Sequence, residues 1–184
     1  MNISMIPFNE ANITRSDMDL VDDARRGKHT SGNGRFTTQV ERYLEQRLPT
    51  RRALLTTSCT HALEMSALLC DLKPGDEVIV PSYTFVSTAS AFALYGAVPV
   101  FVHSRSDTLN IDPSLVEAAT TPRTRALCVV HYGGVACEMD ALINIAERHG
   151  LVLIEDNAHE LFAKYKSQYL GTLGALATQS FHET

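Results

Sequence analysis

The stretch Leu151-Val-Leu-Ile-Glu-Asp-Asn-Ala-His159 constrains the fold of this chain more than any other. Four consecutive apolar residues, Leu151 to Ile154, with β-branching at Val152 and Ile154, suit a strand covered on both faces, as strands of parallel sheets are. A strand of that kind needs neighbours on both sides and a layer of helices above and below. The apolar run then ends abruptly in acids, an amide and an imidazole. In open α/β sheets ligands are met at the carboxyl ends of the strands, so Asp156 and His159 stand where a cofactor or substrate would arrive.

The rest of the chain supports an α/β reading. From residue 53 onward short apolar runs alternate with amphipathic ones, the pattern of strand-helix units around a mostly parallel sheet. Strands are expected at Ala53 to Thr56, Glu77 to Val80, Val98 to Val102, Ala126 to Val130, Val152 to Glu155 and Ala177 to Phe181. Thr60 precedes an expected helix over His61 to Asp71, which Lys73-Pro-Gly-Asp76 terminates. Asp112 followed by Pro113 reads as an N-cap with proline in the first helical position, and Gly150 sits just past a helix from Met139 to His149. Upstream, Ile13 to Arg26 and Thr38 to Leu48 read as helices, the second with Val40, Tyr43, Leu44 and Leu48 on one face. The glycine-rich segment Gly27 to Gly34 between them reads as a loop. There is no internal repeat and no linker, so residues 1–184 are expected to form a single domain.

Composition narrows the function classes. The formal net charge is -5 and Lys and Arg are scattered, so there is no electrostatic footprint for nucleic acid. No apolar stretch approaches the roughly 18 residues of a membrane span, and the first residues lack the features of a secretory leader. A soluble, cytoplasmic protein is expected. Cys59, Cys70, Cys128 and Cys137 show no C-x-x-C pairing and read as reduced thiols. His131, Cys137, His149 and His159 do not make a known ligand spacing, so no metal is expected.

Three clusters carry chemistry. Thr56-Thr-Ser-Cys-Thr60, between a strand and a helix, puts hydroxyls and backbone N–H groups at a helix N-terminus, which reads as a phosphate cup or as a plain cap. There is no G-x-x-x-x-G-K-[ST], and the glycine fingerprint of a dinucleotide fold is missing, which disfavours a nicotinamide enzyme. Phe85, after the Glu77 to Val80 strand, could lie over a flat ring or simply pack in the core. Asp156 could meet a protonated pyridine nitrogen or serve as a capping or ion-paired acid, because a buried carboxylate is costly without a cation or donors. His159, three residues on, could donate to a ring hydroxyl or be an ordinary satisfied histidine. Phosphate cup, ring-stacking aromatic and acid for a ring nitrogen together suggest pyridoxal phosphate.

The chain also resembles the DegT/DnrJ/EryC1/StrS sugar aminotransferases, within the fold type I pyridoxal-phosphate enzymes. The likeness rests on Thr57-Ser-Cys-Thr-His-Ala-Leu-Glu64, Pro74-Gly-Asp-Glu-Val78, Pro81-Ser-Tyr-Thr-Phe-Val-Ser-Thr88, His131-Tyr-Gly-Gly-Val-Ala-Cys-Glu-Met-Asp140 and Ser180-Phe-His-Glu-Thr184. It implies a three-layer α/β/α large domain, of which residues 1–184 would be the N-terminal portion. It also implies a homodimer, with pyridoxal 5'-phosphate as cofactor. The implied activity is amino transfer from glutamate to a dTDP-4-keto-6-deoxy nucleotide sugar for lipopolysaccharide or other surface polysaccharide synthesis. By resemblance, Cys59 and Thr60 would hold the cofactor phosphate with Ser180, Phe85 would stack on the ring, Asp156 would pair with the pyridinium nitrogen, and His159 would contact the ring hydroxyl.

The chain departs from the family pattern at three places. The family lysine that links covalently to the cofactor follows directly on the Ser180-to-Thr184 block, and the only lysines here are Lys28, Lys73, Lys164 and Lys166. No catalytic residue is therefore nominated, and the 184-residue chain is expected to be inactive by itself, a truncated aminotransferase. The alternative is a non-catalytic module that keeps the cofactor cup. Glu160 replaces an expected glycine, and His103 an expected acid.

Overall fold

The computed structural model describes residues 10–28 and 31–182. These fall into two compact units, one within Met1–Leu55 and Phe181–Thr184 and the other within Thr56–Ser180. Among the described residues no helix is long and apolar enough to cross a membrane.

The first unit carries two helices. In α1, Arg15–Arg26, the Thr14 hydroxyl accepts from the Asp17 N–H and the Asp17 carboxylate accepts from the Thr14 N–H, a reciprocal capping box. Helix α2, Arg35–Arg47, starts three residues before the expected Thr38 because Gly34 serves as its N-cap. Leu44 and Leu48 are buried, whereas Val40 and Tyr43, expected on the same face, are exposed. The expected strand Ala53 to Thr56 does not form. The Ala53 N–H donates to Glu45 at 3.2 Å and the Leu55 N–H to Glu41 at 3.1 Å. Carboxylates of α2 thus take the donors that a sheet neighbour would have used.

The second unit is a five-stranded sheet in three layers. Its strands are β1, Glu77–Pro81; β2, Val98–Val102; β3, Thr124–Val130; β4, Val152–Asn157; and β7, Leu176–Gln179. They lie in the order β2-β1-β3-β4-β7, and every pairing is parallel. Four of these strands fall where they were expected. The fifth, β7, ends at Gln179, leaving Ser180 and Phe181 beyond it. A short hairpin, β5 (Lys164–Tyr165) and β6 (Gln168–Tyr169), lies between β4 and β7 in the chain.

Alternation along the strands sorts the core into two faces. Val78, Val80, Ala126, Cys128 and Ile154 pack with Leu63 and Ala67 of α3, Cys59–Leu69, and with Ala91 and Phe92 of α4, Ser87–Ala93. Ile79, Leu127, Val129 and Leu153 pack on the other side with Val116 of α5, Pro113–Ala119, and with Met139, Leu142 and Ile145 of α6, Met139–His149. Asp112 caps α5 and Gly150 ends α6 in the left-handed conformation, both as expected. Asp156 therefore faces α3 and α4, while its neighbour Glu155 faces the α6 side. The chain places β2 on one side of β1 and then β3 on the other, so the topological switch point, where sheets of this kind receive ligands, lies between the carboxyl ends of β1 and β3.

Glu155 is fully buried yet amply satisfied. It accepts from His131 Nε2 at 3.0 Å, from the Gly171 N–H at 2.9 Å, and from the Leu173 and Gly174 N–H groups at 2.7 and 2.6 Å. Burial by itself would raise this carboxyl, but the His131 donor and the Gly174 and Gly171 amides outweigh it and hold the group below its usual range. An acid depressed in the folded state stabilises it above the unfolded value and loses that contribution as the pH falls. Glu155→Gln should lower the melting temperature at pH 7 by about 4–8 °C, corresponding to about 2 kcal/mol. The wild-type advantage should shrink as the pH is lowered below the ordinary value of 4.5; circular dichroism melts from pH 7 to 3.5 check both.

Candidate functional site

Asp156 lies at the end of β4 with only 4% of its surface exposed. Its Oδ2 accepts from the Thr88 hydroxyl of α4 at 2.7 Å, and Thr88 in turn is 2.8 Å from the Thr84 hydroxyl. Its Oδ1 is buried with no hydrogen-bond partner among the described residues. Desolvation pushes the carboxyl up, against the opposing pull of the Thr88 hydroxyl, the nearby Ala158 N–H and the His159 and His131 rings. One oxygen is thus held and the other is left in want of a cation or donor, in a setting that makes an unpaired charge expensive.

Helix α3 brings its N-terminus to the same face. Ser58, not Thr60, is the N-cap, its hydroxyl accepting from the His61 N–H at 3.1 Å. Cys59 and Thr60 then occupy the first two helical positions, whose N–H groups have no partner within the helix. The cap chemistry expected of the Thr56 to Thr60 run is there, shifted by two residues. Thr178 pairs in register with Asp156 on β7. Burial raises the Cys59 thiol, while the Thr178 hydroxyl beside it pulls it down and the Asp156 charge adds to the rise. Cys59, Thr178, Asp156 and Thr88 are therefore one neighbourhood. Ser180 follows β7 directly and is half-buried.

Phe85 is no core residue, being 67% exposed. Its carbonyl accepts from the Thr88 N–H at 3.1 Å, so its backbone sits one turn before the hydroxyl that grips Asp156. His159 is exposed as well, and its Nδ1 accepts from the Gly133 N–H at 2.9 Å. A ring nitrogen that accepts from an amide carries no proton, so Nε2 holds it and is the donor of the neutral ring. Tyr132 meets the His159 ring edge-on at 4.7 Å between centroids and packs against Tyr83 at 4.6 Å. The Gly133 and Gly134 backbones have φ of 60° and 77°, a conformation that β-carbons disfavour. A Cβ on Gly134 would also come within 3.1 Å of the Glu160 Cβ.

This donor set fits a phosphorylated pyridine: helix N–H groups for an anion, an uncovered aromatic face, a lone carboxylate oxygen for a ring N–H, and an imidazole N–H for a ring oxygen. Sequence reasoning gave no role to Thr88, His131, Glu155 or Asn110. Each acts through a partner at least 22 residues away, a distance no local pattern records.

A profile of the DegT/DnrJ/EryC1/StrS aminotransferase family matches residues 11–184. The chain belongs to that family. Among its relatives, the spore coat polysaccharide biosynthesis protein SpsC of Bacillus subtilis (strain 168) is 42% identical over 146 residues, 79% of this chain and 38% of SpsC. Among solved family structures, Spr1654 of Streptococcus pneumoniae, provisionally assigned as a sugar aminotransferase, aligns in its PLP-form with a TM-score of 0.90. It is 32% identical, and the match covers 97% of this chain and 49% of that one. The 3-amino-5-hydroxybenzoic acid synthase aligns with a TM-score of 0.88 at 35% identity, over 97% of this chain and 47% of that one. This member of the family thus spans about half the length of the relatives it matches, or less.

Asp156 is an acid raised in the folded state, so its contribution to stability is largest at low pH. It declines as the pH climbs from the ordinary 3.8 through the raised value. Asp156→Asn should therefore raise the melting temperature of the ligand-free chain at pH 7, by about 2–4 °C for each kcal/mol of relieved charge burial. The gain should vanish toward pH 3.8; paired thermal melts at the two pH values measure it.

Proposed function

We propose that residues 1–184 form the N-terminal portion of the large domain of a pyridoxal-phosphate-dependent sugar aminotransferase, and that Asp156 is the partner of the cofactor's ring nitrogen. The observation that carries this reading is the buried, unpartnered Oδ1 of Asp156. When bound, the cofactor would supply an aldehyde carbon to carry the amino group between an amino acid and a keto sugar, and a ring to accept electron density meanwhile. Cys59 and Thr60, with Ser180, hold the phosphate through helix N–H groups and hydroxyls. Phe85 covers the ring face and excludes water from it. Asp156, oriented by Thr88, keeps the ring nitrogen protonated, and His159 donates its Nε2–H to the ring hydroxyl.

In this reading the amino donor is glutamate and the acceptor a dTDP-4-keto-6-deoxy sugar destined for a surface polysaccharide. The name of SpsC, a relative 42% identical over 146 residues, supports the polysaccharide destination; the donor and the keto sugar follow from the family resemblance. The working form is a cytoplasmic homodimer, in keeping with the family resemblance.

No lysine takes the covalent role. Lys73 pairs with Asp71 at 2.5 Å, the Lys164 ammonium lies 4.5 Å from the centre of the Tyr169 ring, and Lys166 pairs with Asp140. Lys28 is exposed, just after the Gly27 C-cap of α1. The 184-residue chain therefore binds the cofactor without a covalent link and releases no 2-oxoglutarate from glutamate.

The test is a titration of the chain with pyridoxal phosphate, followed by cofactor fluorescence and then by borohydride treatment and peptide mapping. Saturable binding, weakened about tenfold or more by Asp156→Ala, with no single modified lysine, is the expected result. Absence of binding overturns the cofactor assignment, and stoichiometric modification of one lysine overturns the non-covalent reading.

A further inference from the structure

Asn110 is 3% exposed and lies in the loop between β2 and α5. Its side-chain amide is used on both sides: Oδ1 accepts from the Tyr132 N–H at 2.9 Å, and Nδ2 donates to the Val135 carbonyl at 2.9 Å. Those two groups are the ends of the tight Tyr132–Gly134 turn and its exit residue. Inside the turn the Gly134 N–H donates to the His131 carbonyl and the Val135 N–H to the Tyr132 carbonyl, each at 3.1 Å. The one remaining N–H of the turn, that of Gly133, points outward to His159 Nδ1. Asn110 is itself held from behind. Its N–H donates to the Thr108 hydroxyl at 3.3 Å, its carbonyl accepts from the Arg105 N–H at 2.8 Å, and Ser104 and Ile111 bridge across the same loop.

We propose that Asn110 is a positioning residue for the cofactor-ring end of the site: by clamping both ends of the Tyr132–Val135 turn it aims the Gly133 N–H at His159 and so keeps the Nε2–H of His159 available to the ring hydroxyl. The inference rests on the pyridoxal-phosphate reading above and adds to it a residue about 50 positions from His159 in sequence that touches neither cofactor nor substrate. An amide is the side chain the geometry requires. It offers one donor and one acceptor at a fixed spacing, matched to one carbonyl and one N–H. Aspartate keeps the acceptor and loses the donor; alanine loses both.

The test is a double-mutant cycle on the 184-residue chain, with pyridoxal phosphate affinity as the readout, combined with hydrogen exchange at Gly133. Asn110→Ala should weaken binding about fivefold in the wild-type background and by less than about twofold in the His159→Ala background, because the effect is transmitted through the imidazole. In the same variant the Gly133 amide should lose its exchange protection without cofactor present. Equal weakening in both backgrounds marks a merely structural residue and overturns the proposal, as does unchanged affinity in the wild-type background. If Asn110→Ala does not fold, Asn110→Asp runs the same cycle and is judged by the same two outcomes. If the wild-type chain binds no pyridoxal phosphate, the cofactor reading fails. The proposal is then decided by Gly133 exchange alone, retained protection in the folded variant overturning it.

Discussion

The carboxylate of Glu155 is the contact on which the rest of the second unit depends. Four donors converge on it, one from the end of β3 through His131 and three from the backbone of the segment that leads into β7. A buried acid with that many partners is an anchor, since removing it would leave three backbone N–H groups and an imidazole unsatisfied in the interior. It locks β7 alongside β4, and with it the positions of Thr178 and Ser180. On the other side it locks the start of the turn that carries Tyr132 and Gly133. His131 completes the arrangement by accepting the Cys137 N–H on Nδ1 at 3.2 Å, so that Nε2 is the nitrogen that donates to Glu155.

The adjacent acid has the opposite character. Asp156 has one hydroxyl on one oxygen and an empty second oxygen, and its carboxyl is raised where that of Glu155 is lowered. Both are buried, so burial alone does not separate them. The number of donors does. An interior carboxylate that the fold could have satisfied, as it satisfies Glu155, and instead leaves half bare costs the ligand-free protein stability. Sites built to receive a ligand commonly carry such a cost. Protonation at low pH relieves the cost, and so does a donor or a cationic group at the free oxygen.

What the sequence disclosed depended on how far apart the interacting residues lie. Buried parallel strands announce themselves as short apolar runs, and Val98 to Val102 and Met139 to His149 fall where periodicity and caps put them. Ala53 to Thr56 looks equally strand-like, but its donors go to Glu41 and Glu45, a choice made by tertiary neighbours and invisible to a local pattern. Helix α4 is only seven residues long and has no side-chain cap, so it left no punctuation to read. At the site, Asp156 and His159 were legible because a strand end marks them. Phe85 was left open between core and ring, and its 67% exposure removes the core alternative. The contacts of Thr88 and Asn110 were illegible, because their partners lie 68 and 22 positions away.

The two acids also fix the register of β4. Side chains alternate across a strand, so a slip by one residue would turn Glu155 toward α3 and α4 and carry Asp156 among the amides of Gly171, Leu173 and Gly174. The apolar residues beside them do little to forbid such a slip, since Val152, Leu153 and Ile154 would be apolar on either face. The polar end of the strand forbids it. Glu155 finds its four donors on one face only, and Asp156 finds the Thr88 hydroxyl on the other. The same pair of neighbouring carboxylates, one satisfied and one not, therefore specifies which face is which, and the unpaired oxygen of Asp156 is directed to the α3 side by the satisfaction of Glu155 on the opposite side.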